Sequence, residues 1–272
     1  MSRELQIRAG LLASHMKRAS FCTDIRDIIL EINDGVMKTG AVGVANDRIA
    51  IIRTSIENSE GSFETLGIPN IYNVIDKIGN FKPDDMIWLK IDENNQMKII
   101  RTKPKKTYSI TTVEDITQIR SKSVYDIWPD AEKMEMCLQI GDKPVQKAGN
   151  IKAILKIPNL SEAQKIFKNK DVFTDEVEFT IFPEGNIEIV GRDEDDIGAD
   201  FFEVEAIVKP DKRISSGYNG LIEVIKALNP KADITMYIGD GTMSMMIVEK
   251  RESPEETYES IYIIMPMTLR WR

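Results

Sequence analysis

Displaced against itself by 147 residues, the chain lays Val74, Ile75, Asp76, Ile78, Phe81 and Pro83 on Leu221, Ile222, Glu223, Ile225, Leu228 and Pro230. The same displacement brings the polar loop around Asn94 and Asn95 onto the one around Asp240 and Gly241, and Ile99-Ile100 onto Met246-Ile247. Few residues are identical; what is shared is an order of helix, proline-marked exit, strand, polar turn and strand. One amphipathic helix matching another is commonplace, but the whole succession is not, so the pattern reads as a duplicated domain. At 272 residues the chain suits two such domains of about 100 to 150 residues, each able to bury its own core.

Within each half, period-two apolar alternation marks half-buried strands. In the second half it predicts strands over 151–157, 176–182, 186–191, 201–208, 234–238, 243–248 and 260–265. Two helices stand among them. Leu160, Ala163, Ile166 and Phe167 make one stripe over 159–168 with Asn159 as N-cap. Leu221, Ile222, Ile225 and Leu228 make the other over 218–228, ended by Asn229-Pro230. The first half predicts a helix at 11–20, strands at 25–32, 36–43 and 49–54, a helix at 71–81, then strands at 86–91, 97–102 and 107–113. The expected fold class is therefore α+β, with two similar domains that each double a helix-plus-three-strands unit. They span 1–115 and 150–272, joined by a connector at 116–149 that carries Pro129, Gly141 and Pro144 and no sustained periodicity. Its Tyr125, Ile127 and Trp128 suit a segment packed across the body rather than a free linker.

Several function classes find no support in the residues. The one histidine, His15, stands beside Lys17 and Arg18 and reads as a surface side chain. Cys22 and Cys137 are too few for a disulfide framework or a zinc site and read as ordinary buried or half-buried thiols. Neither a phosphate-binding glycine loop nor a dinucleotide fingerprint is present, and Gly239-Asp240-Gly241 reads as a hairpin turn. The acidic run Asp193-Glu194-Asp195-Asp196 lacks calcium-loop spacing and reads as a solvated loop. No cofactor and no metal are expected. No apolar run approaches the ~20 residues that cross a membrane, and the N-terminal stretch has charges where a signal peptide needs its apolar core. The expectation is a cytoplasmic protein with no membrane partner. A formal charge of −8 argues against gripping nucleic acid by affinity, but a protein that encloses DNA needs only a locally basic lining.

The C-terminal third carries a likeness. Ser216-Gly217-Tyr218 leading into Leu221–Leu228, the paired stretches 232–238 and 243–249, and the closing Tyr262-Ile263-Ile264-Met265-Pro266 resemble the last helix, paired strands and closing strand of the DNA sliding clamps. That superfamily includes proliferating cell nuclear antigen of archaea and eukaryotes and the replication clamps of T-even-type phages. The resemblance spans the whole chain as an architecture and rests on order and length, since clamps have no catalytic signature. Met267 stands where a basic residue is common, residues 1–60 fit less well and the connector is long, departures that suit a divergent viral or archaeal member.

The resemblance implies a non-catalytic processivity factor of DNA replication. Copies of the chain would form a head-to-tail ring, a homotrimer, which encircles duplex DNA without reading its sequence, tethers a DNA polymerase and is loaded by a clamp loader. Helix residues facing the DNA would be Lys17, Arg18, Lys77, Lys82, Lys165, Lys168, Lys170, Lys226 and Lys231. A groove for partner peptides would be made by Val42, Ile127, Trp128, Pro129, Ile263, Met265 and Pro266. The subunit interface would pair edge strands at 107–113 and 186–191 through Tyr108, Ile110, Ile187 and Ile189. The alternatives are a clamp-fold scaffold of repair or transcription that does not load as a replication ring, and a metal-dependent nuclease using Asp193–Asp196 with Lys209 or Lys212.

Overall fold

Asp34 and Gly35 both take positive φ, 49° and 72°, the geometry of a two-residue hairpin turn whose twist matches the strands it joins. Ile28–Asn33 therefore runs straight back as Val36–Val42, in register from Ile28 opposite Ala41 to Asn33 opposite Val36. The computed structural model describes residues 4–21, 25–43, 48–56, 63–94, 96–113, 115–122, 137–140, 143–147, 151–168, 176–192, 197–202, 204–239 and 245–267. Its chain divides into two units, one formed by Met1–Val44, Ala50–Trp128 and Glu252–Ser260, the other by Ala45–Ile49, Pro129–Arg251 and Ile261–Arg272.

The first unit begins with β1 (Glu4–Arg8) and α1 (Ala9–Ala19), followed by β2 (Ile28–Asn33), β3 (Val36–Val42), β4 (Arg48–Ser55) and β5 (Phe63–Ile68). Next come α2 (Ile71–Ile78), β6 (Met86–Ile91), β7 (Gln96–Arg101) and β8 (Lys106–Thr111). Two antiparallel runs result, ordered β1-β6-β7-β8 and β4-β3-β2-β5. Strand β6 alternates as the period-two pattern requires, with Ile87, Leu89 and Ile91 buried between partly or fully exposed neighbours. Asn70 starts α2, its Oδ1 accepting from the Tyr72 amide at 3.1 Å, one of the donors a helix start leaves over. Val74 and Ile78 face inward, each side chain contributing roughly 1.5–3 kcal/mol by leaving water.

A hairpin, β9 (Cys137–Ile140) with β10 (Lys143–Lys147), lies within the expected connector. The second unit then repeats the order of the first: β11 (Ala153–Lys156), α3 (Leu160–Lys168), β12 (Glu176–Ile181), β13 (Ile187–Arg192), β14 (Ile197–Phe202), β15 (Glu205–Val208), β16 (Ile214–Asn219) and α4 (Leu221–Ala227). The chain closes through β17 (Asp233–Ile238), β18 (Met245–Glu252), β19 (Thr257–Ile264) and β20 (Pro266–Met267). Its runs are ordered β15-β11-β17-β18-β19 and β14-β13-β12-β16-β20. Asn159 caps α3 as expected, its Oδ1 accepting from the Glu162 amide at 3.3 Å.

Three expectations about elements need correction. The helices of a domain are separated by four or five strands rather than three, because β5 and β16 escape the periodicity: β5 has Gly67 inside it, and β16 reads Ile-Ser-Ser-Gly-Tyr-Asn. The helix expected from 218 starts at Leu221, since Tyr218 belongs to β16 and packs edge-to-face on Phe179, ring centroids 6.3 Å apart. The strand expected over 201–208 is two strands serving different sheets, β14 pairing with β13 and β15 with β11.

Candidate DNA-facing helices, partner groove and assembly edges

Helix α1 is buried along Leu11, Leu12, His15, Met16, Arg18 and Ala19, leaving Lys17 as the exposed cation. The expected surface position of His15 is corrected: it is fully buried, Nδ1 lying 2.8 Å from Thr54 Oγ1 and Nε2 2.8 Å from Thr39 Oγ1. Arg18 is corrected too and does not face solvent. It pairs with Glu256 at 2.7 Å, donates to Ser14 Oγ at 2.8 Å and lies 3.7 Å from the Tyr258 ring centre. The reason is helical spacing: positions 11, 12, 15, 16, 18 and 19 share the face turned to the core, and a charge there is tolerated because it is paired.

The other expected lysines are spread over helices and their exits. Lys82 follows α2, Lys165 lies on α3, and Lys226 and Lys231 lie on and after α4, all exposed. Lys77 of α2 is partly neutralised by Asp76 at 2.7 Å, a hydrogen bond that raises its pKa. Lys168 ends α3, and Lys170 lies outside the described residues. Hydrogen bonds to main-chain carbonyls tie α1 to the exit of α2 and α3 to the end of α4. In the first, the Gly10 amide donates to Pro83 O at 2.9 Å, and a Cβ on Gly10 would meet that same oxygen at 2.9 Å, so only glycine permits the approach. In the second, the buried Gln164 amide nitrogen donates to Ile225 O at 3.0 Å and Leu228 O at 2.7 Å, occupying carbonyls that the end of α4 leaves without helical partners. Buried Glu249 accepts from the next amide, Asn229, at 2.7 Å, and from the Tyr262 hydroxyl at 3.2 Å.

The residues expected to form the partner groove are distributed as follows. Val42 is buried on β3; Ile263 is core at 1% exposure; Met265 and Pro266 are half-buried, and Pro266 pairs with Tyr218. Ile127, Trp128 and Pro129 lie outside the described residues. Further residues matter that periodicity did not reveal. After β8 the chain pairs with β5 at Val113 opposite Gly67, then makes a short 3-10 turn at Ile116–Gln118, capped by Asp115. Hydrogen bonds from the Thr117 hydroxyl and amide hold the Asp115 carboxyl below the usual carboxylate range. Ile119 then lies on Gly67, where a Cβ would come 2.5 Å from Ile119 Cγ1. Ser121, fully buried, donates to Asp27 O at 2.8 Å and accepts from the Val42 amide at 3.1 Å. The start of the connector is thus fastened across β2, β3 and β5 at the position of Val42. The sequence signal would have been the isolated Gly67 and the short apolar pair of Ile116 and Ile119.

Of the two expected edges, one is an edge. Strand β8 ends its run, with Thr107 and Ser109 exposed, Tyr108 half-buried and Ile110 buried. Strand β13 does not: it lies between β12 and β14, so Ile187 and Ile189 are core residues and the edge falls to β14. Among the described residues no cluster of His, Cys, Asp or Glu has the arrangement of a metal site, and no helix is long and apolar enough to cross a membrane. The acidic run 193–196 lies outside the described residues; Lys209 and Lys212 are exposed.

No family model matches the chain, and no curated protein is similar to it in sequence. Solved structures are similar over its whole length. Proliferating cellular nuclear antigen from Entamoeba histolytica is 12% identical, with a TM-score of 0.70 over 98% of this chain and 100% of that one. A structure of the C-terminal region of FEN-1 bound to PCNA of A. fulgidus is 16% identical, with a TM-score of 0.68 over 98% of both chains. A PCNA2-PCNA3 complex from Sulfolobus tokodaii is 11% identical, with a TM-score of 0.63 over 97% of this chain and 98% of that one. At these identities the likeness is one of fold.

Proposed function

The chain has the fold of the DNA sliding clamps, and from that premise we propose that it is a non-catalytic processivity factor, forming a ring around duplex DNA and tethering a polymerase. The observation that carries this reading is the extent of the likeness: 97–98% of this chain matches 98–100% of clamp chains, with both units accounted for. Two unpaired strand edges, β8 in one unit and β14 in the other, supply what a head-to-tail assembly needs, since each edge buries the other's open backbone groups. The S. tokodaii relatives form a complex with one another, and the same kind of assembly from copies of this chain is proposed, most simply a homotrimer. The A. fulgidus relative binds a C-terminal region of FEN-1; here the corresponding partner peptides, from a polymerase and other replication proteins, are proposed to dock beside the fastened connector start at Val42, Ile119 and Ser121. A clamp loader is the remaining proposed partner, and Lys17, Lys82, Lys165, Lys168, Lys170, Lys226 and Lys231 the proposed DNA-facing set, since contacts to phosphate position a protein without reading bases.

The test is the solution mass by light scattering over a concentration series, followed by primer extension on primed circular DNA. A species near three times 30.9 kDa that lengthens polymerase products supports the reading. A monomer at every concentration with no effect on product length rejects it in favour of a scaffold that does not load. Replacing Lys165, Lys168 and Lys170 by alanine is expected to shorten the products while leaving the mass unchanged.

A further inference from the structure

Strand β15 ends the run β15-β11-β17-β18-β19, and its ladder with β11 slips by one residue. Ile154 stands opposite Val208 and Leu155 opposite Ala206, so Ile207 is left over. A bulge of this kind disrupts the ladder locally and re-aims the side chain it carries. Ile207 is 53% exposed and its neighbour Val208 40%. Among the described residues the other exposed large apolar side chains are Tyr72 and Met86, far apart in sequence, and single exposures of that kind are ordinary. Two adjacent ones on a sheet edge are not. The strand is backed at Ala206 by the β12–β13 turn, where Gly185 has a φ of 96°. A Cβ on Gly185 would lie 3.1 Å from Ala206 Cβ and 3.7 Å from Lys209 Cε.

The residues around Ile207 are complementary to their own reverse. Laid antiparallel on a second copy about a twofold axis at Ile207, β15 sets Ile207 on Ile207, Ala206 opposite Val208 and Glu205 opposite Lys209. By symmetry the last two pairs occur twice. Glu205 and Lys209 are both exposed. Among the described residues neither makes an ion pair, although Lys156 is the register partner of Glu205 on β11. Opposite charges facing each other across strands stabilise a pair, and like charges destabilise it. Parallel apposition in register would set Glu205 on Glu205 and Lys209 on Lys209, so the charges select the antiparallel arrangement. The bulge at Ile207 and Pro210, which has no amide hydrogen to donate, keep the stretch short.

We propose that β15 is a second self-association surface, separate from the β8 and β14 edges, through which two copies of the chain meet about a twofold axis with Ile207 at its centre. The β8–β14 contact joins unlike edges and adds copies one after another. This contact joins like to like, so it takes one further copy and stops. A strand running only from Glu205 to Lys209 on each side buries far less than the ~1,200 Å² of a stable interface. A single contact is therefore transient, and a chain that forms no ring stays a monomer for most of its time. Where the ring reading holds, three contacts act together and their joint strength exceeds that of any one. Two rings then pair into an assembly of six copies. The contact itself needs only two β15 strands and does not depend on the ring.

Light scattering of the full chain over a concentration series reads the pairing, with the thermal midpoint followed in parallel to register any loss of folding. The unaltered chain is expected to pass from near three times to near six times 30.9 kDa as its concentration rises. Glu205→Lys and Lys209→Glu, each alone, face like charges in every contact and are expected to raise the concentration needed for that step more than about tenfold. Combining the two restores opposite charges and is expected to restore the step. Ile207→Cys treated with the oxidant diamide is expected to give a disulfide between position 207 of one copy and position 207 of the other. It is read on a non-reducing gel against the unaltered chain, which already carries Cys22 and Cys137. A mass that never rises beyond three chains, with no added disulfide, overturns the pairing and leaves the ring reading intact. A combined variant that fails to regain what each single variant lost also overturns it. A mass that stays at one chain, with the disulfide nonetheless formed by the Ile207→Cys protein, overturns the ring and leaves the pairing standing.

Discussion

His15 belongs to a buried hydrogen-bond chain. Arg18 Nη2 donates to Thr54 Oγ1 at 3.2 Å, Thr54 Oγ1 pairs with His15 Nδ1, and His15 Nε2 pairs with Thr39 Oγ1. Burial first, and the Arg18 charge second, hold the His15 pKa well below its ordinary value of 6.5. The sign follows. As pH falls below 6.5 the unfolded chain takes up a proton that the folded chain refuses, so this site removes stability on acidification, at most about 1.4 kcal/mol per pH unit. Urea unfolding at pH 7.5 and pH 5 is expected to show a larger loss for the unaltered protein than for His15→Gln; equal losses would mean the ring is protonated in place. Arg18→Ala leaves Glu256, 16% exposed, without its cation and is expected to cost about 3 kcal/mol in the same assay. The helix at 11–20 was legible, and Leu11, Leu12 and Met16 lie on its buried stripe. A histidine and an arginine on that stripe were read by residue type instead of position, and their partners, distant in sequence, could not be seen.

At the level of elements, the helices and connector are held by single side chains that reach main-chain groups. Gln164→Leu keeps the bulk near α4 but removes the donor from Ile225 O and Leu228 O, an expected cost of about 1–3 kcal/mol for buried unsatisfied carbonyls, readable as a lowered thermal midpoint. Gly67→Ala drives a methyl group against Ile119; the expected outcome is a connector start lifted from β5, seen as faster amide exchange at Val113 and Val42, with β6 and β7 unaffected. β6 was legible because one of its faces lies in the core, with Ile87, Leu89 and Ile91 buried. β16 was not, because its Ser215 and Ser216 hydrogen-bond within the sheet and break the pattern. β14 and β15 merged for the opposite reason, as alternation continues through the point where the chain changes sheets.

On the scale of the whole molecule, the 147-residue displacement lays Met86–Ile91 on Asp233–Ile238, and these are β6 and β17 from first to last residue. The duplication was therefore visible in the spacing, and with it the fold class. Which strands end the sheets was not, because an edge differs from an interior strand only in what lies beside it; β13 looks like an edge in isolation and has a neighbour on each side. Lysines placed on an edge discourage pairing, so Thr107→Lys with Ser109→Lys, both on the exposed face of β8, is expected to bring the solution mass down to 30.9 kDa without lowering the thermal midpoint of the monomer.

The edges proposed to join copies of this chain are different strands, β8 in one unit and β14 in the other, each the end of its own sheet. An association that joins unlike edges has no built-in stopping point: every added copy exposes the same pair of ends that it covered. Such a chain ends only when the turn from copy to copy closes it on itself. A substitution that tilts β8 or β14 by a few degrees would then not weaken the contact so much as misdirect it, and its product would be a growing filament, visible as turbidity and not as dissociation.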